Sequence, residues 1–237
     1  MERTIDVCLS PDLMHLYPVE DAIVVVVDIL RATSCMTTAF AHEIHSIKPF
    51  AQLPDCLSHK SEGYLTAGER DGKKVTGFDL GNSPFEYMSE ALKGKKIAFT
   101  TTNGTQAIAK ASGAREIVIA SFLNLSAVAK YLRKAKANVL VVCSGWKGKV
   151  NLEDTIFAGA LVEHLKEDIQ AACDAPLMAQ RLYNEARHNL KDFLKDASHI
   201  KRLMRLNIEK DIDFCLTEDQ YDVVPVIRDG AITVSKP

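Results

Sequence analysis

The chain has 237 residues, of which 47% are hydrophobic, and this supports one large α/β domain or two small ones. Its 29 basic residues nearly balance 31 acidic residues, so no broad cationic surface for nucleic acid is expected. No apolar run is long enough to span a bilayer, and the amino terminus lacks a signal-peptide pattern. We therefore expect a cytoplasmic protein with neither a nucleic-acid nor a membrane partner. The cysteines form no CxxC pair, which argues against a zinc ribbon or a disulfide framework.

Short apolar, β-branched runs alternate with helical patterns through the first two thirds of the chain. The predicted strands are 5–9, 23–28, 46–50, 96–101, 117–120 and 139–143, and the predicted helices lie near 33–43, 53–61, 84–92, 104–112, 124–134 and 152–169. Such alternation is typical of βα units around a parallel sheet. We predict a three-layer α/β/α fold with a mostly parallel sheet.

The last part of the chain differs in composition. Residues 175–211 are helix-rich and basic, and 223–234 reads as a terminal β-hairpin with an Asp-Gly turn at 229–230. No Pro-, Gly- or Ser-rich linker marks a boundary. We expect one α/β domain over 1–237, with two subdomains that divide near 150–175 as the alternative. The C-terminal helices and hairpin also suggest a surface for a homodimer.

The stretch 68–84 is a strong candidate for a ligand-binding segment. Its glycines let backbone N–H groups approach an anion, and Arg70 offers a guanidinium fork for phosphate, carboxylate or sulfonate. Glu69 and Asp79 carry carboxylates that suit a hard cation. The segment is therefore predicted to hold both an anion and a metal ion.

The second predicted strand ends at Asp28, and open α/β sheets bind ligands at such strand ends. Asp28 is a candidate metal ligand or base, Arg31 a candidate anion-binding cation and Thr33 a hydroxyl donor. The alternative is a local ion pair between Asp28 and Arg31 beside a helix that Thr33 caps.

Two later helix starts supply further anion-binding candidates. Asn82 and Ser83 precede Pro84, and backbone N–H groups point outward at a helix start. A second, hydroxyl-rich turn consists of Thr102, Asn103, Gly104 and Thr105. Its glycine can take a positive φ or allow a close backbone approach. The alternative for this turn is an ordinary helix cap with an ST-turn.

The sixth predicted strand ends in Cys143, Ser144 and Gly145, and the next helix carries Glu153 and Asp154 in its first turn. These acids are candidates for binding a cation or activating water. The alternative is that they only complement the helix dipole. Cys143 is a candidate nucleophile, but its motif contains no activating Arg or His, so covalent catalysis is the weaker hypothesis.

Three phosphoryl-transfer templates each fail at a particular position. A DxDxT phosphatase needs a second acid two positions after Asp28, where Leu30 stands. A Cys-x5-Arg phosphatase needs an arginine where Lys149 follows Cys143, and no segment supplies a Walker P-loop. The histidines lack HExxH spacing, so we expect surface or core positions for them rather than metal ligation.

Taken together, the motifs extend along most of the chain in a fixed order. They are VVVDILRATS (25–34), AGER (67–70), GFDLGNSP (77–84), TTNGT (101–105), CSG (143–145) and LED (152–154) with AG (158–159). In these segments the chain resembles the 2-phosphosulfolactate phosphatase family. The region beyond about residue 170 matches less specifically.

This resemblance implies a magnesium-dependent hydrolase that removes phosphate from 2-phospho-3-sulfolactate, as in coenzyme M biosynthesis. A substrate with phosphate, carboxylate and sulfonate needs several anion-binding groups and a hard cation. We expect catalytic roles for Asp28, Glu69 and Asp154, and magnesium ligands among Asp28, Asp79 and Glu153. The expected substrate-binding residues are Arg31, Thr33, Arg70, Asn82, Ser83, Thr102, Asn103, Gly104, Thr105, Cys143, Ser144 and Gly145.

Several alternatives remain open from the sequence. The oxygen-rich candidates favour magnesium over zinc, although manganese suits the same ligands. Nothing in the motifs separates a sulfonate from a second carboxylate, so another 2-hydroxy-acid phosphate such as phospholactate or phosphoglycolate is an alternative substrate. Direct attack by water and a covalent intermediate both fit. A non-catalytic protein that binds an anionic metabolite is the more distant alternative.

Overall fold

An eleven-stranded sheet forms the centre of the structure, a computed structural model that describes residues 3–235. Its strands are β1 (Thr4–Cys8), β2 (Ala22–Val27), β3 (Ser46–Pro49), β4 (Leu65–Arg70), β5 (Lys73–Lys74), β6 (Lys96–Thr100), β7 (Glu116–Ala120), β8 (Asn138–Cys143), β9 (Gln170–Ala171), β10 (Pro225–Arg228) and β11 (Ala231–Val234). Each of the six strands predicted from the apolar runs is present, because strands buried on both faces read as continuous apolar stretches. Every residue of β2, for example, is buried.

Helices cover both faces of the sheet, so the predicted three-layer α/β/α fold is confirmed. The α-helices are α1 (Ala32–Ala41), α2 (Leu53–Ser58), α3 (Gly104–Lys110), α4 (Leu125–Lys134), α5 (Leu152–Leu165), α6 (Asp174–Ala186), α7 (Leu190–Leu194), α8 (Ser198–Met204) and α9 (Glu209–Cys215). Short 3₁₀-helices span Pro11–Leu16, His59–Glu62, Pro84–Tyr87, Glu90–Leu92 and Phe122–Asn124. None of the helices between residues 3 and 235 is long and apolar enough to cross a membrane.

The sheet consists of two parallel blocks joined by the C-terminal hairpin. Its strand order is β5-β4-β6-β3-β11-β10-β7-β2-β8-β1-β9. One block contains β4, β6 and β3, and the other contains β7, β2, β8, β1 and β9. The hairpin pairs antiparallel with β7 on one side and with β3 on the other. The strands of one block are therefore antiparallel to the strands of the other block.

Two apolar cores fix these layers in place. The first lies between one face of the sheet and helices α4, α5 and α6, together with the smaller helices that follow. The second lies under α1 and α3 and takes residues from both blocks, such as Val26 of β2 and Phe99 of β6. Both blocks therefore pack on the same two helices.

Two local predictions differ from the structure. Residues 84–92 form two short 3₁₀-helices rather than one α-helix, since Ser89 between them has extended backbone angles (φ −74°, ψ 128°). The predicted ligand-binding segment 68–84 begins inside the strand β4 (Leu65–Arg70), for which no strand was predicted. The sequence of β4 lacks a continuous apolar run, yet it pairs with β6, and a Cβ on its Gly68 would collide with the carbonyl oxygen of Thr100.

The hairpin at 225–234 confirms the prediction of a terminal β-hairpin with an Asp-Gly turn, in which Asp229 and Gly230 both take positive φ. The predicted homodimer, for which the C-terminal helices and hairpin were the suggested surface, stays a prediction. Both edges of the hairpin pair within the chain, with β7 and β3. The hairpin edges are therefore occupied, and they offer no ladder to a second subunit.

Candidate active site

Residues from both blocks meet in one cleft, which we call the acid cleft. Its lining includes Asp28, Glu69, Asn82, Asn103, Trp146, His199 and Arg202. Asp28 follows β2 and Glu69 lies near the end of β4, whereas His199 and Arg202 come from α8. Strand ends thus form its floor and a helix of the C-terminal segment forms one wall.

A second cavity of about 240 Å³ adjoins the acid cleft and shares Asn103 with it. We call it the lysine–hydroxyl pocket, and it is lined by Thr102, Asn103, Gln106, Lys110, Ser144 and Lys147, among others. The buried hydroxyl oxygens of Thr102 and Ser144 have no hydrogen-bond partner. Hydroxyls and ammonium groups suit an anion such as phosphate.

Asp28 is buried at the floor of the acid cleft. Its Oδ1 accepts a hydrogen bond from the backbone N of Ala32 at 3.3 Å. Burial raises the pKa of Asp28 to about 6, while His199 acts in the opposite direction and Glu69 and Glu153 add to the rise. A bound cation would offset part of the energy of taking this carboxylate out of water, so Asp28 suits a metal ligand or a proton acceptor.

Glu69 joins two turns across the cleft. Its Oε1 accepts the backbone N–H of Thr102 at 2.8 Å, and its Oε2 accepts the backbone N–H of Gly72 at 2.7 Å. The side chain is almost fully buried. Glu69 therefore fixes the position of the hydroxyl-rich turn and still carries lone pairs for a cation, because each carboxylate oxygen accepts more than one bond.

Glu153 and His199 form a buried pair. His199 Nδ1 contacts Glu153 Oε1, and the amide of Asn151 lies 3.2 Å from the same ring nitrogen. Glu153 is completely buried, and its Oε2 has no partner. His199, unlike Glu153, lines the acid cleft. The expected ligand Glu153 thus reaches the cleft through the histidine.

Asp154 lies beneath the site rather than in it. Its Oδ1 accepts from the backbone N of Ile29 at 2.9 Å, and its Oδ2 accepts from the backbone N of Gly145 at 3.0 Å. Burial raises its pKa well above the usual range, and Glu153 and Asp28 add to the rise. Asp154 thus bonds the backbone of the loops after β2 and β8, and its expected catalytic role stays a prediction.

Arg31 lines the acid cleft but is already paired. Its Nη1 bonds Asp211 of α9, and its Nη2 donates to the carbonyl of Gly72 at 3.0 Å. Ser83 donates its hydroxyl to the other oxygen of Asp211 at 2.9 Å. The local ion pair between Asp28 and Arg31 is therefore replaced by a long-range pair that ties α9 to the site.

Several predicted residues take part in scaffolding contacts. Thr33 bonds the backbone of Asp28 through its hydroxyl, and Thr105 does the same with Thr101. Arg70 donates to Thr100 and to the carbonyl of Glu69, and it lies outside the lining of the acid cleft.

Asp79, an expected magnesium ligand, lies away from the other acids. Its Oδ2 accepts from the backbone and the hydroxyl of Thr66, at 2.9 and 2.8 Å, and its Oδ1 accepts from Lys60 at 3.2 Å. It does not line either cavity. The structure therefore does not bring Asp79 together with Asp28.

Three predicted substrate-binding residues, Cys143, Ser144 and Gly145, lie at the end of β8 and in the turn that follows. Ser144 lines the lysine–hydroxyl pocket, whereas Cys143 is completely buried. Burial raises the pKa of the Cys143 thiol well above its usual range, which lowers its thiolate fraction. Gly145 takes a positive φ of 59°. Ser144 is thus the member of this group that a ligand can reach.

Two further predicted residues lie where a ligand would contact them. Asn82 lines the acid cleft, and its buried Oδ1 has no hydrogen-bond partner. Asn103 lies where the two cavities meet, and its Oδ1 accepts from the backbone N of Lys147 at 3.2 Å. Gly104 provides the predicted close approach, since there is no space for a Cβ between Asp28 and Ala32.

The sequence did not single out three residues of the cleft, namely His199, Arg202 and Trp146. His199 is the exception to the expected surface or core positions for histidines, because it lines the cleft. Arg202 belongs to the basic segment whose composition was noted, and its guanidinium lies 3.5 Å from the centre of the Trp146 ring. No local motif identifies His199 and Arg202, since α8 reaches the site only through tertiary packing, whereas Trp146 directly follows the CSG motif (143–145).

Oxygen donors from carboxylate and amide side chains line the acid cleft. Between residues 3 and 235, no three His, Cys, Asp or Glu side chains are grouped as a ready-made metal cage. Magnesium usually takes only one or two protein carboxylates and completes its shell with water and substrate phosphate. Asp28 and Glu69 in one cleft, with the unpartnered Oδ1 of Asn82, fit that simpler donor set.

The acid cleft and the adjoining lysine–hydroxyl pocket bring buried carboxylates, unpartnered hydroxyls and nearby cations together at strand ends, an arrangement typical of an α/β protein that binds a small anionic ligand. Comparison with known proteins identifies the family. Residues 8–230 match the family model described as 2-phosphosulpholactate phosphatase.

Relatives match over nearly the whole chain. A protein of Thermotoga petrophila named probable 2-phosphosulfolactate phosphatase is 42% identical over 232 residues, which cover 98% of this chain and 99% of the relative. A protein of the same name from Caldanaerobacter subterraneus is 40% identical and covers 90% of each chain. One from Clostridium tetani is 34% identical over 96% of this chain and 99% of the relative. The chain belongs to the 2-phosphosulfolactate phosphatase family and is a phosphoric monoester hydrolase.

Proposed function

We propose that the protein hydrolyses 2-phospho-3-sulfolactate to 3-sulfolactate and phosphate with the help of magnesium, as in coenzyme M biosynthesis. The observation that carries this proposal is the pairing of the acid cleft with the lysine–hydroxyl pocket at Asn103. Named relatives at 34–42% identity support the same substrate. A substrate with several negative charges needs both a cation site and separate anion donors.

The phosphoryl group is assigned to the lysine–hydroxyl pocket. The hydroxyls of Thr102 and Ser144 are buried without partners, so an incoming phosphate would supply the acceptors that they lack. Lys110 and Lys147 line the same pocket, and their ammonium groups are held only in exposed, weak ion pairs with Asp12 and Asp71. Together they orient the phosphate oxygens and offset the charge of the ester.

Asp28 and Glu69 would hold the magnesium ion, with the Oδ1 of Asn82 as a further donor. A bound magnesium ion lowers the charge repulsion at the scissile P–O bond and lowers the pKa of water. The raised pKa of Asp28, about 6, supports this role, because a nearby cation favours the charged carboxylate. Glu69 also fixes the turn that carries Thr102.

His199 is the group best placed to accept a proton from water in the cleft. When its Nδ1 donates to Glu153, its Nε2 carries the free lone pair. Glu153 then stabilises the protonated imidazole, as a buried carboxylate does beside a catalytic histidine. Water therefore attacks directly in this proposal, and the deeply buried Cys143 takes no part.

The decisive experiment measures phosphate release from 2-phospho-3-sulfolactate, phospholactate and phosphoglycolate, with magnesium and with EDTA. The enzymes compared are the parent protein, Asp28→Asn and Asp79→Asn, the last as a matched control outside the cleft. We expect magnesium-dependent turnover that favours the sulfonate ester, falls by at least about 100-fold in Asp28→Asn, and changes little in Asp79→Asn. Preference for another ester would overturn the assigned substrate, and ligand binding without turnover would favour a binding protein.

A further inference from the structure

We propose that Arg202, stacked on Trp146, is the specificity-determining residue that binds the sulfonate of the substrate. This inference rests on the proposed function and deepens it. It assigns the sulfonate to one side chain. That side chain belongs to α8 of the C-terminal segment and not to the strand ends. The remaining groups of the site then serve the phosphate and the metal ion.

Arg202 is held in a position from which it can donate hydrogen bonds to an anion. Its guanidinium lies 3.5 Å from the centre of the Trp146 ring, so the indole supports one face of the group. Its Nη2 is buried and has no hydrogen-bond partner. Both residues line the acid cleft. A buried N–H group without an acceptor costs free energy that a bound oxyanion would offset.

The other cations around the two cavities are already paired. Arg31 bonds Asp211, Lys110 bonds Asp12 at 2.5 Å, and Lys147 bonds Asp71 at 3.3 Å. Within residues 3–235, Arg202 is the cation lining the two cavities that has neither an ion pair nor a hydrogen bond. Its charge therefore remains available to a ligand.

The chemistry of the three substrate anions decides which of them Arg202 binds. Phosphate and carboxylate oxygens are good ligands for magnesium, a hard cation, whereas a sulfonate is a weak ligand for it. The phosphate also has the hydroxyls and lysines of the neighbouring pocket. A guanidinium is weakly hydrated and offers a planar fork, which suits a weakly hydrated sulfonate. The sulfonate is thus the anion that lacks another partner.

The test compares two esters that differ only in the sulfonate, namely 2-phospho-3-sulfolactate and phospholactate. Parent protein, Arg202→Gln and Arg202→Lys are compared with Arg205→Gln, which changes an exposed arginine at the end of the same helix. We expect Arg202→Gln to lower kcat/KM for the sulfonate ester on the order of 30- to 100-fold. For phospholactate the loss should stay below about threefold, because that ester lacks the group.

Arg202→Lys should recover only part of the loss, since an ammonium does not reproduce the stacked fork. Arg205→Gln should behave as the parent protein. An equal loss for both esters would assign Arg202 to the phosphate or to general folding, and no loss for either would remove it from the site. Either result overturns the proposal.

A binding measurement separates this inference from the proposed function. Calorimetric titration with 3-sulfolactate and with lactate needs no turnover. If the parent protein hydrolyses neither ester, the proposed function fails, yet Arg202→Gln should still weaken binding of 3-sulfolactate and not of lactate. If the variant binds 3-sulfolactate as the parent does, or if the parent does not bind it, the role of Arg202 is refuted.

Discussion

Gly104 and Asp28 are in such close contact that a Cβ on residue 104 would lie 2.9 Å from Oδ2 of Asp28. The same Cβ would lie 2.9 Å from Cβ of Ala32, so the structure has no room for a side chain at position 104. The glycine at the start of α3 is therefore what allows the carboxylate of Asp28 to occupy the floor of the acid cleft. Helix α3 and the end of β2 meet at this contact.

Replacing Gly104 by Ala is expected to displace the Asp28 carboxylate while leaving the fold intact. Because a shift of about 1 Å at a reacting group costs on the order of 100-fold in rate, kcat should fall by that order. Circular dichroism should remain that of the parent protein. Gly113→Ala is the matched control, since a Cβ there would meet its nearest neighbour at an ordinary 3.7 Å. Full activity in Gly104→Ala would show that the contact is not needed.

The buried pair of Arg31 and Asp211 is expected to hold the C-terminal helices onto the site. Asp211→Ala leaves the Arg31 guanidinium buried without its partner, and breaking such a pair costs about 3–5 kcal/mol of unfolding free energy. Urea denaturation measures this loss. Asp213→Ala on the same helix removes the partner of the exposed Lys191 and should cost below about 1 kcal/mol. Equal losses in the two variants would contradict the assignment.

Cys143 is expected to be dispensable for catalysis. Burial raises the pKa of its thiol well above the usual range, so little thiolate forms at neutral pH. Cys143→Ala should retain kcat within about threefold and should lose on the order of 1 kcal/mol of stability, from the lost apolar contact. Steady-state kinetics and urea denaturation measure the two effects. A loss of turnover as deep as that of Asp28→Asn would restore the covalent hypothesis.

Glu163 is expected to make part of the stability depend on pH on the acid side. Its hydrogen bonds with Lys166 and Gln180 lower its pKa from the ordinary 4.5 to about 2, with burial opposing them and Asn184 assisting. Because the folded-state pKa is lowered, the contribution to stability is present above about pH 4.5 and is lost as the pH falls toward 2.

The measurement is the free energy of unfolding of the parent protein and Glu163→Gln at several pH values from 7 to 3. The parent should be the more stable at pH 7, and the difference should shrink as the pH falls below 4.5. Glu167→Gln, at a neighbouring exposed position, serves as the control. A difference that is constant across the range would show that the charge of Glu163 is not responsible.

The amino-acid sequence predicted most of the sheet because its central strands are short and apolar. β2 and β8 are buried almost throughout, so their boundaries follow directly from the change in hydrophobicity. β4 was not predicted because it carries Gly68, Glu69 and Arg70, and its pairing with β6 and β5 makes it a strand. Tertiary pairing overrides local propensity in such a case.

Part of the candidate site was predictable for a similar reason. Asp28 and Ser144 directly follow strands, Asn103 lies in the turn after β6, and strand ends are where ligands bind in α/β sheets. His199 and Arg202 were not predictable, because α8 lies far away in the sequence and carries no motif. The pairing of Arg31 with Asp211, 180 positions apart, was hidden for the same reason.

The hairpin between the two blocks has a consequence for the order in which the sheet forms. β10 and β11 are synthesised after every other strand of the sheet, yet they occupy its middle and supply the pairing between β7 and β3. While the chain is emerging from the ribosome, each block can assemble its own parallel ladder, but the two remain unjoined. The acid cleft draws on both blocks, so it is completed only when the last strands enter the gap.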